Sequence, residues 1–261
     1  MSDLNLLFRN RVGIPNDLVI TFENLDMVLE KTAETIPFEN LCIIKKKTTE
    51  ITKKNLLNKI IFNNEGGICY ELNSIFFYFL LENGLNASLV RGVVYDNNAQ
   101  QWNTMGKTHV ANVMKHNGQL YIIDTGFGGN LPLKPVPFTG ETITSNNGEF
   151  RVKKEETDYG DYIFYMKLKN KDNDWKKGYA FDSKEVFNDV SMLNEVQNII
   201  LKHPDSPFNK RPLITRLTDR GNETLTETSF TKWEDGNVHK EEIDQIRFKE
   251  ILKEHFGIES H

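Results

Sequence analysis

The spacing of the hydrophobic residues changes at Leu85, and this change restricts the possible folds more than any other feature of the chain. Before it, apolar residues recur at the spacing of one helix face: Leu72, Ile75, Phe76, Phe79 and Leu80. Gly84 follows as a left-handed helix stop. After Leu85 the period falls to two, which predicts strands at 87–90, 92–95, 109–114, 120–124, 161–168 and 178–181. A helical unit is therefore followed by a small antiparallel barrel or curled sheet.

The two ends of the chain complete an α+β pattern. Apolar periodicity predicts helices at 26–35, where Pro37 stops the pattern, and at 53–62. Beyond about residue 190, short strands at 213–217 and 223–226 precede a terminal helix at 240–255. We therefore expect three units: a helical N-terminal unit (1–84), a central β unit (85–189) and a mixed C-terminal unit (190–261).

Composition excludes several classes of function. The chain has 261 residues and 38% apolar content, which suffices for a full core. With 32 basic and 37 acidic residues, it has no basic field to hold nucleic acid. No apolar run approaches the roughly 20 residues that span a bilayer, and the N-terminus lacks the pattern of a signal peptide. These features predict a cytoplasmic protein with neither nucleic acid nor membrane as a partner.

Cys69 follows Gly66-Gly67 at the start of the predicted long helix. A helix N-terminus carries a partial positive charge and unpaired N–H groups, and both stabilise a thiolate. The glycines would let a substrate approach the backbone closely. However, Cys69 also lies three residues before Leu72, at the edge of the apolar face, so burial as a small core residue is by itself enough to explain its position. Position alone leaves both readings open.

A predicted hairpin brings a histidine and a carboxylate together. If Asn117-Gly118 form a type I′ turn, facing residue numbers sum to 235, so Ala111 faces Asp124 and His109 faces Gly126. His109 and Asp124 are then diagonal neighbours on one face, with space for the imidazole beside Gly126. A carboxylate there fixes the tautomer of the ring and stabilises its charged form. A purely structural pair is the alternative, and a slip of one residue would separate the two side chains.

Other candidate sites are weak. The remaining histidines have no partner at a recognisable spacing, and there is no C-x-x-C or H-E-x-x-H motif, so we expect no metal. Neither a phosphate-binding loop nor a dinucleotide-binding fingerprint is present. Two cysteines do not make a disulfide framework in a chain of this length, so both should be free thiols. We expect Cys42 to be structural.

Four ordered segments of the chain resemble one enzyme family. They are IPFENL at 36–41, GGICYELN at 66–73, Thr108-His109 and IDTGFG at 123–128. Together they resemble the motifs of the arylamine N-acetyltransferases, and a weaker likeness continues through HPDSPF at 203–208. The resemblance implies a helical N-terminal bundle, a central antiparallel β-barrel and a C-terminal α/β lid. It also implies a catalytic core like that of cysteine proteases and transglutaminases.

The resemblance further implies ping-pong chemistry. A cysteine takes the acetyl group from acetyl-CoA, which serves as the acyl-donor substrate. An arylamine, hydrazine or N-hydroxyarylamine then accepts it. Carried over by motif, the nucleophile is Cys69, the base and proton shuttle is His109, and the residue that orients it is Asp124. Matching positions also suggest substrate contacts at Phe38, Phe127 and Thr108 and coenzyme contacts at Met105 and Gly106.

One position departs from the family pattern. Glu65 stands where the family usually has an arginine that braces the loop against the acidic residue of the PFEN segment, here Glu39. Like charges at these two positions would repel each other if they came close. Three alternatives also stay open. These are a family member that uses another acyl-CoA or closes an amide within one molecule, a transglutaminase-like or papain-like cysteine hydrolase, and a binding protein with an inert Cys69.

Overall fold

The structure is a computed structural model that describes residues 3–259, and seven α-helices occur among them. A π-helical turn at Leu57–Phe62 continues the fourth helix. The helices are α1 (Asp3–Val12), α2 (Leu25–Thr35), α3 (Leu41–Ile44), α4 (Lys53–Leu56), α5 (Cys69–Glu82), α6 (Leu193–Lys202) and α7 (Gln245–Phe256).

The strands form two sheets, and the larger sheet is an almost closed antiparallel barrel. The strands are β1 (Phe38–Glu39), β2 (Ala87–Asp96), β3 (Gln101–Trp102), β4 (His109–His116), β5 (Gln119–Ile123), β6 (Val136–Pro137), β7 (Ile143–Ser145), β8 (Gly148–Thr157), β9 (Gly160–Leu168), β10 (Lys176–Phe187), β11 (Leu213–Thr218), β12 (Gly221–Thr226), β13 (Ser229–Glu234) and β14 (Asn237–Glu242). The barrel has the order β6-β5-β4-β2-β10-β9-β8-β7, and β3 pairs with β2. The α+β class is therefore confirmed.

The central helix α5 connects the helical part to the barrel. Eleven of its fourteen residues are buried, as expected for a helix that is covered on all sides. On one side Phe79 packs against Phe8 of α1, with ring centroids 4.6 Å apart. On the other side α5 contacts β4 and β2 of the barrel. This position brings the N-terminus of α5 next to the beginning of β4.

The second sheet combines strands from both ends of the chain, in the order β1-β11-β12-β13-β14. Phe38 pairs with Thr215 and Glu39 pairs with Ile214, so the IPFENL segment belongs to the C-terminal sheet. Phe38 also forms a parallel bridge to Gly67. The three-unit division of the chain stays a prediction, and the pairing of β1 with β11 crosses its first and third units.

The predicted hairpin register is confirmed. His116 pairs with Gln119 and Asn112 pairs with Ile123, so facing numbers sum to 235. Asn117 has φ 48° and Gly118 has φ 82°, which is the left-handed pair of a type I′ turn. The regular pairing ends one residue before Asp124, which therefore begins the loop that follows β5.

Three predicted elements differ from the structure, and one is the helix predicted at 53–62, which is α-helical only to Leu56 and π-helical from Leu57. The helix predicted at 240–255 is wrong in its first residues, because β14 extends to Glu242 and α7 begins at Gln245. The carboxylate of Asp244 caps α7 by accepting hydrogen bonds from two backbone N–H groups in its first turn. The strands predicted at 87–90 and 92–95 are one strand, because β10 approaches Gly92 closely and pairs across it.

Within residues 3–259, no helix combines the length and the apolar character that crossing a bilayer requires. The cytoplasmic location stays a prediction.

Candidate active site

Cys69 is the first residue of α5 and its side chain is buried. Its Sγ lies 3.5 Å from the carbonyl oxygen of Thr108, the residue that precedes β4. Ile68 occupies the N-cap position with an aliphatic side chain that cannot cap the helix. Instead, the carboxylate of Glu71, in the first turn of the helix, accepts a hydrogen bond from the N–H of Ile68 at 3.1 Å and so caps the helix N-terminus. The sulfur therefore lies at a well-defined helix start beside the barrel.

His109 begins β4 and is buried against Asp124. Its Nε2 lies 2.7 Å from Asp124 Oδ2, as the hairpin argument predicted. Burial alone would lower the pKa of His109, but Asp124, together with the neighbouring Cys69, raises it to about 10. The ring therefore holds a proton at neutral pH, and its positive charge lies beside the side chain of Cys69.

Asp124 is buried and accepts four hydrogen bonds. Oδ1 accepts from Asn73 Nδ2 at 3.0 Å and from the N–H of Gly126 at 2.8 Å, while Oδ2 accepts from Tyr179 at 3.1 Å and from His109. Burial alone would raise the pKa of Asp124, but His109 and these donors hold it below its ordinary value. The carboxylate is therefore charged, and four hydrogen bonds fix its orientation.

Sequence reasoning gave neither Asn73 nor Tyr179 a role in the site. Asn73 is in the GGICYELN segment, where its spacing of four from Cys69 places it on the same helix face. Burial and the neighbouring Asp124 raise the pKa of Tyr179 well above its ordinary value, so its hydroxyl stays a donor. Tyr179 lies within the strand predicted at 178–181, and no local signal marks it.

The glycines of the site have a different use from the one expected. A Cβ at Gly126 would lie 2.6 Å from the Cα of Cys69 and from Asn73 Nδ2, so the start of α5 fills the space that we assigned to the imidazole. The ring of His109 instead packs against Phe127 and Tyr179, with centroids 4.8 and 4.4 Å away. Gly126 is therefore needed for the close approach of the Asp124 loop to the nucleophile helix.

A cavity of about 300 Å³ opens beside Cys69 and His109. Four of the five other predicted contact residues line it: Phe38, Met105, Thr108 and Phe127. Gly106 is not among the residues that line it; its carbonyl accepts the N–H of Thr108 at 2.8 Å. Apolar side chains from the C-terminal part, which sequence reasoning did not assign, complete the wall: Ile200, Phe208 and Leu213. None of the described residues that line the cavity is Asp, Glu, Lys or Arg.

Asn40 joins the C-terminal wall of the cavity to the IPFENL segment. Its Nδ2 donates to the carbonyls of Phe208 and Arg211, both at 2.8 Å, and its Oδ1 accepts the N–H of Leu213 at 2.7 Å. These bonds place the ring of Phe208 5.6 Å from that of Phe38. The weak sequence signal at 203–208 was the one indication that this segment reaches the site.

Cys42 lies outside this cavity and has a different environment. Its Sγ contacts Glu65 Oε2 at 3.5 Å, and burial raises its pKa to about 12. It is therefore a neutral thiol at physiological pH. Among residues 3–259, no group of three or more His, Cys, Asp or Glu side chains is placed to hold a metal ion.

Comparisons with known proteins agree on one family. A family model described as N-acetyltransferase matches residues 21–261. The chain is 38% identical over 257 residues to a Bacillus subtilis (strain 168) protein described as the uncharacterized acetyltransferase YvcN, with 98% of each chain covered. It is 31% identical over 254 residues to the probable arylamine N-acetyltransferase 3 of Dictyostelium discoideum, with 88% of this chain and 83% of that protein covered.

A solved structure matches the whole fold. The crystal structure of the (BACCR)NAT3 arylamine N-acetyltransferase from Bacillus cereus superimposes with a TM-score of 0.94 and 41% identity, and the match covers 100% of both chains. That enzyme is reported to have a unique Cys-His-Glu catalytic triad. In the present chain, the carboxylate beside His109 is that of Asp124.

Proposed function

The chain belongs to the arylamine N-acetyltransferase family, and on this premise we propose that it carries an acetyl group from acetyl-CoA to an aromatic amine, hydrazine or N-hydroxyarylamine through a thioester on Cys69. One observation carries the proposal: a buried Cys69 lines the same cavity as His109, whose ring is hydrogen-bonded to the buried Asp124. This order of nucleophile, base and orienting carboxylate is the arrangement that acyl transfer requires.

In the first half-reaction, the Cys69 thiolate attacks the thioester carbonyl carbon of acetyl-CoA. A bond forms between that carbon and Sγ, the bond to the coenzyme sulfur breaks, and His109 gives its proton to the leaving sulfur. Because Asp124 occupies Nε2 of the ring, Nδ1 is the nitrogen that remains to exchange a proton at the reacting sulfur. His109 is then neutral and ready to act as a base.

In the second half-reaction, the amine nitrogen attacks the acetyl carbon of the thioester. His109 accepts a proton from the amine, the carbon–sulfur bond breaks, and the thiolate and imidazolium are restored. The phenyl rings of Phe38, Phe127 and Phe208 provide faces on which a flat aryl group can stack. We infer that Met105, from the turn before β4, lies on the path of the coenzyme.

Intact-mass analysis tests the proposal. The protein incubated with acetyl-CoA and no acceptor should gain one acetyl group, because the first half-reaction can then proceed without the second. Cys69→Ala should not gain it, whereas Cys42→Ala should, since Cys42 is a neutral thiol outside the cavity. Acetylation of Cys69→Ala at the wild-type rate would refute the assignment.

A further inference from the structure

The loop before Cys69 is packed against the segment that carries Glu39. The N–H of Gly67 donates to the carbonyl of Pro37 at 3.3 Å, and the N–H of Glu39 donates to the carbonyl of Gly67 at 2.9 Å. A Cβ at Gly66 would lie only 1.9 Å from the carbonyl oxygen of Pro37, so the two backbones run side by side with no space between them. A shift of either segment is therefore transmitted to Cys69.

Two buried carboxylates bracket this contact, one on each side. Glu39 Oε2 accepts the N–H of Leu41 at 2.6 Å, and Glu71 Oε2 accepts the N–H of Ile68 at 3.1 Å. Glu39 is 1% exposed and Glu71 is 8% exposed, so water screens the repulsion between them poorly. Each carboxylate thus fixes a backbone amide, and a cation between the two would offset the repulsion of their charges.

Lys59 supplies that cation. Its Nζ lies 2.7 Å from Glu71 Oε1 and 3.3 Å from Glu39 Oε1, and only 12% of its side chain is exposed. Burial alone would lower the pKa of Lys59, but the two carboxylates raise it above its ordinary value. Burial raises the pKa of Glu71, and Lys59 opposes that effect. The ammonium of Lys59 therefore forms an ion pair with both carboxylates.

The backbone at Lys59 also supports the loop. Lys59 lies in the π-helical turn Leu57–Phe62, and its carbonyl accepts the N–H of Glu65, the residue that precedes the two glycines. We expected repulsion between Glu65 and Glu39, but the side chain of Glu65 contacts Cys42 instead. The two carboxylates that lie close to one cation are those of Glu39 and Glu71, on either side of Lys59. Lys59 thus holds both the beginning of the loop and its end.

We infer that Lys59 is a positioning residue for the reaction: its ammonium neutralises Glu39 and Glu71 and so holds the Gly66–Ile68 loop and the first turn of α5 where Cys69 meets His109. The inference rests on the proposed function, because it assigns Lys59 a role in the reactivity of Cys69. Lys59 lies in a different cavity from Cys69, and the two cavities share no lining residue, so it acts through the loop and not on the substrate.

Charge variants of Lys59 test the inference. Lys59→Met removes the ammonium with little change in volume, Lys59→Arg keeps the charge, and a triple variant with Lys59→Met, Glu39→Gln and Glu71→Gln removes all three charges. In a Cys42→Ala background, acetylation by acetyl-CoA, alkylation of Cys69 by iodoacetamide and the melting temperature are each followed from pH 5.5 to 8.5. These readouts separate reactivity from folding.

Lys59→Met should acetylate more slowly on the order of a hundredfold at pH 8, which is the scale of a displacement of about 1 Å at a reacting group. Without the cation, the pKa of Glu71 rises further, so more of this carboxyl group is protonated and neutral at low pH. Protonation relieves the repulsion, and the defect should therefore be smaller at pH 5.5 than at pH 8. Lys59→Arg and the triple variant should recover most of the rate, because neither leaves uncompensated carboxylates.

A folded Lys59→Met protein with the acetylation and alkylation profiles of the wild type would overturn the inference. If Lys59→Met does not fold, the triple variant decides: recovery of acetylation supports it, and a folded triple variant as inactive as Cys69→Ala contradicts it. If the wild-type protein is not acetylated at all, the proposed function fails, and the alkylation profiles still decide whether Lys59 positions Cys69.

Discussion

Asp124→Asn perturbs the site most selectively, because it keeps the shape of the side chain and removes its charge. Each carboxylate oxygen of Asp124 accepts two hydrogen bonds, with donor–acceptor distances of 2.7 to 3.1 Å. The amide NH2 of asparagine cannot take the place of Oδ1. There it would face two other donors, Asn73 Nδ2 and the N–H of Gly126. It must therefore replace Oδ2, where the hydroxyl of Tyr179 can rotate to accept and His109 Nε2 must become an acceptor.

The consequence is the wrong tautomer of His109. With Nε2 unprotonated, the single proton of the neutral ring lies on Nδ1, so the ring can neither take the proton of the Cys69 thiol before acetylation nor later take a proton from the acceptor amine. In serine-protease triads the equivalent change costs about four orders of magnitude in rate, and we use that value as a scale. We expect the acetylation rate to fall by a factor of about 10³ to 10⁴. We also expect a loss of stability of about 1–3 kcal/mol, because the buried Tyr179 hydroxyl, once rotated to accept, has no partner for its own hydrogen.

The pH dependence of stability provides a second signature of the same change. In the wild type, Asp124 raises the pKa of His109 to about 10, so the stabilisation from the pair is fully present below the ordinary pKa of histidine and is lost as pH rises towards 10. In Asp124→Asn, burial, the largest effect on the ring, is opposed only by Cys69 and lowers the pKa of His109. The variant should then lose stability as pH falls from about 7 to 5, where the unfolded histidine takes up a proton and the folded one does not.

The assay is the single-turnover rate of acetylation by acetyl-CoA, measured beside thermal unfolding at pH 5, 6 and 7. Asp124→Glu is the matched control, because it restores the charge, and the related Bacillus cereus enzyme is reported to use a glutamate. We expect Asp124→Glu to be faster than Asp124→Asn. A folded Asp124→Asn protein that is acetylated within tenfold of the wild-type rate would refute the tautomer argument.

Three further outcomes follow from the geometry of the cavity. Phe127→Ala should change the ranking of aromatic amine acceptors more than it changes acetyl-enzyme formation, because its half-buried ring lines the cavity; equal effects on both half-reactions would contradict this role. Gly126→Ala should destabilise the protein by about 1–3 kcal/mol and slow acetylation, since the new Cβ would lie 2.6 Å from the Cα of Cys69; an unchanged melting temperature and rate would show that the loop yields freely. Aromatic amines with a carboxylate should be poorer acceptors than neutral analogues of the same shape, because the described lining residues include no Lys or Arg to pair with it and His109 is neutral in the acetyl-enzyme; a higher kcat/KM for the carboxylate would refute this.

Local sequence patterns were sufficient for the centre of the site. The Asn117-Gly118 turn has one favoured geometry, and that geometry sets the hairpin register, so the pairing of His109 with Asp124 could be worked out from a few neighbouring residues. The long helix and its left-handed stop at Gly84 followed from apolar spacing in the same way. Each of these inferences depends on residues that are close together along the chain.

Apart from Asn73, which lies on the same helix as Cys69, the residues that were not foreseen are brought to the site by distant parts of the chain. Tyr179 reaches Asp124 because β10 is a neighbour of β2 in the barrel, and strand order in a sheet is not encoded by any local pattern. Phe208 reaches the cavity through the pairing of β1 with β11 and the hydrogen bonds of Asn40. The sequence predicts an amphipathic helix around Lys59, whereas the π-helical turn and the two buried carboxylates determine the position of its side chain.

Transfer of the acetyl group from the isolated acetyl-enzyme tests the central claim most directly. The protein is acetylated with acetyl-CoA, freed of the coenzyme by gel filtration, and mixed with an uncharged arylamine. We predict that the amine becomes N-acetylated in an amount equal to the acetyl-enzyme consumed, and that Cys69 returns as a free thiol. An acetyl-enzyme that persists in the presence of the amine, while the complete mixture still forms product, would show that the acetyl group does not pass through Cys69.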